Sequence, residues 1–218
     1  MTKSVIIIGK GGHAKVLTDL LQLLTRQIIG YTATKYSKEE EFCGIKCLGN
    51  DSVIEDYAPE NIQLVNAVAA MPETKTRREI GERMRNKGYQ FATLIHPSAV
   101  VAKSVIIEEG AQIMAGSVIQ SGTTIGIDSI INTNASIDHD CSIGRCVHIA
   151  PGVTMSGNVV VDDYAHIGTG TSIIQGIKIG KTSIIAAGSV VYTDIVENQK
   201  FIQHKFESPM QNKTKGNK

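Results

Sequence analysis

Tryptophan is absent from this 218-residue chain and aromatic residues make up only 5% of it. A platform of stacked aromatics for single-stranded nucleic acid is therefore not expected. No excess of one charge sign exists either: 22 Lys and Arg face 21 Asp and Glu, for a net charge of +1. That balance argues against nucleic acid or an anionic membrane as the main partner. No apolar run approaches the roughly 20 residues a membrane span requires. The opening Met1-Thr2-Lys3-Ser4 leads into only four apolar residues, too few for a signal-peptide core. The four cysteines, Cys43, Cys47, Cys141 and Cys146, include no C-x-x-C pair. The Cys43/Cys47 spacing would suit half a metal site, but no second Cys/His pair stands near it. They read as reduced structural thiols of a cytoplasmic protein, with no metal expected.

What the chain has is a repeat. Every sixth residue from Val101 to Val191 is aliphatic or Met, including Ile113, Ile125, Ile137, Ile149, Met155, Ile167 and Ile179, and Ile95 is in phase. The residue four further on is small or branched: Ala111, Ser117, Ala135, Cys141, Val153, Ala165 and Ser189 among others. Glycines recur between them. A helix repeats near 3.6 residues and a flat strand at 2, so a period of six needs a short strand plus a turn, over and over. Three hexads make one coil of a triangular prism, with the aliphatic residue pointing inward on each face. Residues 101–190 hold fifteen hexads, hence five coils. Adjacent coils should lie about 4.8 Å apart, the strand spacing, each burying its core against the next.

The first 92 residues follow a different rule. Ser4-Val5-Ile6-Ile7-Ile8 reads as a buried parallel strand. Gly9-Lys10-Gly11-Gly12-His13-Ala14 follows, then an amphipathic helix with Val16, Leu17, Leu20, Leu21 and Leu24 on one face. Residues 27–31 and 62–68 suggest two more strands. Residues 73–87, with Lys75, Arg77, Arg78, Arg83 and Arg85, suggest a charged surface helix. The result is a βαβ unit resembling half of a Rossmann domain. Its turn fits G-x-G-x-x-A, yet the acidic residue that would hold a ribose at the end of the second strand is missing, since the chain there reads Ile28-Ile29-Gly30-Tyr31-Thr32. Backbone N–H groups at a helix start still favour phosphate, so a nucleotide-linked substrate at Gly11, Gly12 and His13 is one reading and a ligand-free tight turn is the other.

Four strings together carry a family resemblance: Ile6-Ile7-Ile8-Gly9-Lys10-Gly11-Gly12-His13-Ala14-Lys15-Val16, Ile95-His96-Pro97-Ser98-Ala99-Val100, Asp138-His139-Asp140-Cys141-Ser142-Ile143-Gly144 and His148-Ile149-Ala150-Pro151-Gly152. With the repeat, they make nearly the whole chain resemble the NeuD/PglD family of bacterial sugar acyltransferases. The resemblance implies an α/β N-terminal domain over 1–92 and an all-β left-handed parallel β-helix over 93–200. A tail follows over 201–218, and its last residues, polar and Lys-rich from Gln211, are expected to be disordered. It also implies a homotrimer with acetyl-CoA bound between neighbouring prisms.

Its site residues carry over position by position. His139 matches the family's base and Asp140 its acidic partner. A neutral His can accept a proton at cellular pH, and a neighbouring carboxylate can fix its tautomer. Asp138 flanks the other side, so the choice of Asp140 rests on the resemblance. His148, Thr169 and Ala187 match the coenzyme site, and His13 a substrate contact. Gly157, one coil beyond His139, is expected to offer its N–H to the thioester oxyanion, unless Gly157-Asn158 is merely a turn. His166 should stack on His148 and reads as plain surface. Two departures stand out: the Asp pair that often follows the second strand is replaced by Tyr31-Thr32-Ala33-Thr34, and the C-terminal string reads Phe201-Ile202-Gln203-His204-Lys205-Phe206. The implied activity is N-acetylation of a nucleotide-linked 4-amino-4,6-dideoxy sugar for surface glycan assembly. O-acetylation of a sugar such as sialic acid, and a silent trimeric sugar-nucleotide-binding scaffold, remain open alternatives. Cys141, at an inward position, is a poor nucleophile.

Overall fold

A computed structural model describes residues 3–37, 41–72 and 74–203. The segment 204–218, including most of the expected tail, lies outside the described residues.

Successive side chains of the first strand, β1 (Ser4–Ile8), point to opposite faces, as a pleat requires. Val5 and Ile7 join one apolar cluster and Ile6 and Ile8 another. Both faces therefore need cover, which is why the strand is apolar without alternation. β2 (Ile28–Thr32) and β5 (Ile62–Asn66) flank β1 in parallel. Two strands not expected from the sequence, β3 (Glu41–Phe42) and β4 (Ile45–Gly49), extend the sheet beyond β2 in the order β3-β4-β2-β1-β5.

The helix α1 (Gly12–Leu23) covers one face through Ala14, Leu17, Leu20 and Leu21. Val16, expected on that face, is 46% exposed, because it lies one position off the 3.6-residue stripe. The helix α2 (Thr76–Asn86) covers the other face with Ile80 and Met84. It is not the plain charged surface helix expected: Arg77 is buried.

The rest of the chain winds into a triangular parallel β-helix of two-residue strands. Face I carries six strands from Val100–Val101 to Val190–Val191. Face II carries five from Ile106–Ile107 to Lys178–Ile179. Face III carries seven from Leu94–Ile95 to Lys200–Phe201. The inward series from Ile113 to Val191 is buried, and so are the small partners four residues on. The prism is longer than the five coils counted from 101–190, since Leu94 and Lys200 add rungs at its two ends. Ile95 is in phase but 38% exposed at that first rung. At the far end Ile184 pairs with Lys200, sixteen residues on rather than eighteen.

The two units share one core. Leu94, Met114 and Ile130 of face III pack into the same cluster as α1 and β1. Arg85 of α2 clasps the prism, donating to both carboxylate oxygens of Asp128 at 2.5 and 2.9 Å and to Glu109 at 3.1 Å. Both expected elements, an α/β unit and a parallel β-helix, are therefore present.

Candidate active site

The turns of the prism place a left-handed residue every sixth position: Asp128, Asn134 and Asp140 follow one another at φ of +59, +56 and +57°. Asp and Asn tolerate this region better than other non-glycine residues. His139 therefore sits at the apex of a turn between faces I and II, its side chain 55% exposed. Its Nδ1 lies 2.8 Å from Asp140 Oδ2. The structure separates the two candidate carboxylates: Asp138 is occupied by the His139 backbone N–H at 2.8 Å, leaving Asp140 to orient the ring. A carboxylate only accepts, so Nδ1 carries a hydrogen, and in the neutral ring Nε2 keeps the lone pair. The Asp140 hydrogen bond, helped by the nearby charges of Asp138 and Asp140, raises the His139 pKa above the usual imidazole range against an opposing desolvation.

Gly157 lies one rung along, and a Cβ there would stand 2.6 Å from both Cε1 and Nε2 of His139. No real side chain tolerates that approach, so glycine makes room for the imidazole. This steric demand differs from the expected oxyanion role, which stays a proposal.

Thr169 and Ala187 stand together on a second corner, between faces III and I. They line a groove of about 540 Å³ with His166, Gly168, Ile184 and Lys200 on the prism and Met71, Pro72 and Thr74 from the segment after β5. His148 is not in that groove. It faces an adjoining cavity of about 190 Å³ with Lys75, Arg77, Arg78 and Tyr164. His166 borders both spaces, so it is more than surface, and its ring meets that of His148 edge-on with centroids 4.8 Å apart. His148 bonds the Ala70 carbonyl through Nδ1 at 3.2 Å and Asn132 through Nε2 at 3.1 Å. Burial, then the neighbouring His166, lowers its pKa to about 3. It is a neutral strut at any physiological pH.

In the glycine-rich turn only Gly9 is required by backbone shape, at φ +106°. Gly11 and Gly12 are exposed, and a Cβ on either would meet nothing within 4 Å. The space over them is open to a ligand. His13 turns inward instead, its Nε2 2.7 Å from Gln112 Oε1 on the prism. Burial, then the charge of Arg77, lowers its pKa to about 4. A neutral His13 adds no charge to hold a phosphate there. Cys141 is buried with its thiol pKa raised by burial, and Cys146 is pushed up to about 11 for the same reason. Neither is a ready nucleophile.

Comparison with known proteins bears on this arrangement. Residues 4–84 match the model of the PglD N-terminal domain. The GDP-perosamine N-acetyltransferase of Escherichia coli O157:H7 is 36% identical over 185 residues, covering 84% of this chain and 82% of that one. This chain belongs to the NeuD/PglD family of bacterial sugar acyltransferases. The UDP-N-acetylbacillosamine N-acetyltransferase of Bacillus subtilis is 39% identical over 113 residues, half of each chain. Among solved structures, the acetyltransferase domain of PglB from Neisseria gonorrhoeae in complex with acetyl coenzyme A superposes with a TM-score of 0.85 at 31% identity, covering 92% of this chain and 96% of that one. PerB from Caulobacter crescentus, in complex with CoA and GDP-perosamine, gives 0.83 at 32%, covering 92% and 94%.

Several residues of this NeuD/PglD member escaped the sequence reading. Gln112, Ile130, His148 and His166 form one outward column on face III, each pairing with the next rung. Stepping eighteen residues back from His148 twice would have reached Gln112. Asp51 was beyond reach: a 3-10 turn over Asp51–Asp56 brings its carboxylate 2.8 Å from Thr32 Oγ1 at the end of β2 and 2.7 Å from Arg83. A carboxylate thus stands at the end of the second strand after all, delivered from a distant part of the sequence.

Proposed function

We propose that this chain N-acetylates the amino group of a nucleotide-linked 4-amino-4,6-dideoxy sugar with acetyl-CoA, as a cytoplasmic homotrimer in surface glycan assembly. In this reading 1–92 is the sugar-nucleotide-binding domain, with Gly11, Gly12 and His13 at the substrate, and 93–200 is the acetyltransferase domain. The observation that carries it is the His139–Asp140 pair, exposed on a turn with Nδ1 held by Asp140 and Nε2 beside a glycine.

The chemistry follows from that geometry. The sugar amine attacks the thioester carbonyl while His139 Nε2 takes the proton the nitrogen loses. Asp140 holds Nδ1–H and stabilises the resulting imidazolium. The Gly157 N–H, which has no partner among the described residues, is suited to the oxyanion of the tetrahedral species. When the C–S bond breaks, the imidazolium returns its proton to the CoA thiolate. No covalent enzyme intermediate is required. Acetyl-CoA lies in the groove of Thr169 and Ala187 and reaches towards His148.

The trimer is supported by the separation of the parts. His139 occupies the corner between faces I and II, and the groove the corner between faces III and I. A neighbouring prism whose groove meets the His139 corner would unite them.

The test is CoA release, by thiol assay, from acetyl-CoA against UDP-, dTDP- and GDP-linked 4-amino sugars and free sialic acid, with His139→Ala alongside. Turnover on an amino sugar that collapses in the variant is expected. Turnover on sialic acid alone would move the function to O-acetylation, and acetyl-CoA binding without turnover on any acceptor would favour a scaffold.

A further inference from the structure

Gln112 lies on face III of the prism, 1% exposed, between the prism and the α/β unit. Its amide touches two partners. Nε2 lies 2.9 Å from the backbone carbonyl of Asn66, and Oε1 lies 2.7 Å from His13 Nε2. A backbone carbonyl can only accept, so the side of the amide facing Asn66 must be the donating NH2. The carbonyl oxygen of Gln112 then faces His13, and an oxygen there can only accept. The hydrogen between them belongs to His13 Nε2. A neutral imidazole carries one hydrogen, so Nδ1 holds a lone pair, and it has no partner among the described residues. Arg77, buried beneath, donates to the same Asn66 carbonyl and to that of Val68 at 3.0 Å. Its fixed positive charge opposes a second proton on His13.

We propose that Gln112 is a positioning residue that holds His13 as the Nε2–H tautomer, so that Nδ1 meets the substrate as a hydrogen-bond acceptor. This rests on the reading that His13 contacts the nucleotide sugar. It narrows what His13 can recognise. The group opposite Nδ1 must be a donor, an amine or hydroxyl of the sugar, and not a phosphate oxygen. The phosphates are left to the open backbone at Gly11 and Gly12. Specificity for the sugar is thus shared between the two domains, since the residue that sets the acceptor belongs to the prism.

The experiment reads the tautomer directly. Long-range proton–nitrogen NMR on histidine-labelled protein, with His13→Gln to assign the signal among the six histidines, is expected to show His13 protonated at Nε2 alone at pH 7.5. In Gln112→Leu and Gln112→Met that preference is lost. The KM for the nucleotide sugar rises about tenfold, as loss of a buried hydrogen bond implies, while the KM for acetyl-CoA is unchanged. The Asn66 carbonyl keeps Arg77 in both variants, so no buried acceptor is orphaned. A proton on Nδ1, or on both nitrogens, in the parent protein overturns the proposal even if the variants do not fold. So does an unchanged tautomer and sugar KM in folded Gln112→Leu. A protein silent on every sugar, yet with His13 at Nε2–H and that preference lost in the variants, would overturn the activity and support the positioning.

Discussion

The proposed chemistry rests on two adjacent residues whose division of labour can be separated. His139→Ala removes the base and is expected to lower kcat by about 10²- to 10⁴-fold. Acetyl-CoA affinity, measured by calorimetry, should hold, because His139 is not among the residues that line the groove. Asp140→Asn keeps a side chain that accepts a left-handed backbone but removes the charge that raises the His139 pKa. A base must be unprotonated to work, so activity falls as pH drops through its pKa. With that pKa lowered, the acid limb of the kcat/KM profile should shift to lower pH. The plateau should fall at least about tenfold, because the ring is less basic and its tautomer is no longer fixed. An unmoved acid limb would assign the orienting role elsewhere. Gly157→Ala should leave the fold intact, since φ there is not left-handed. It should nevertheless reduce kcat sharply by displacing the imidazole, and a crystal structure of the variant would show the ring moved.

At the scale of elements, one of the contacts between α2 and the prism is a buried ion pair. Asp128 has a side chain only 5% exposed, and Arg85 is the cation paired with it. Removing one partner leaves a buried charge uncompensated. Arg85→Ala is therefore expected to destabilise the protein by about 3 kcal/mol, seen as a lower urea midpoint. The elements also differ in how far the sequence announced them. The inward ladder was legible because every rung must bury an apolar side chain at the same phase, so a single rule repeats sixteen times. β1 and α1 were legible from their own apolar patterns, though Val16 was placed on the wrong side. β3 and the 3-10 turn were not, because they are too short and polar to show a period. Arg77 was misread for a related reason: its partners are the carbonyls of Asn66 and Val68, and backbone acceptors leave no trace in side-chain spacing. Of the candidate site, the His139–Asp140 turn was singled out through its string. Gln112 and Asp51 depend on contacts between distant segments.

For the whole molecule, the proposed trimer makes activity a property of the assembly. Sedimentation equilibrium is expected to return three copies of the 23.4-kDa chain, and turnover per chain should fall on dilution below the assembly concentration. A fully active monomer would mean that one chain unites both corners, contrary to the separation described above.

The prism can also be regarded as a ruler. Thr169 and Ala187 are one rung apart, and each rung advances about 4.8 Å along the axis. Within the regular part of the prism each coil takes eighteen residues, which keeps the inward phase on all three faces. The span available to a long, thin coenzyme is therefore quantised. Duplicating a coil between the level of His139 and that of Ala187 would leave every pocket-lining residue type intact, yet separate the reacting end from the distal end by one graduation. With acetyl-CoA in the proposed groove, the number of coils as well as the residues that line them would set the length of coenzyme that fits.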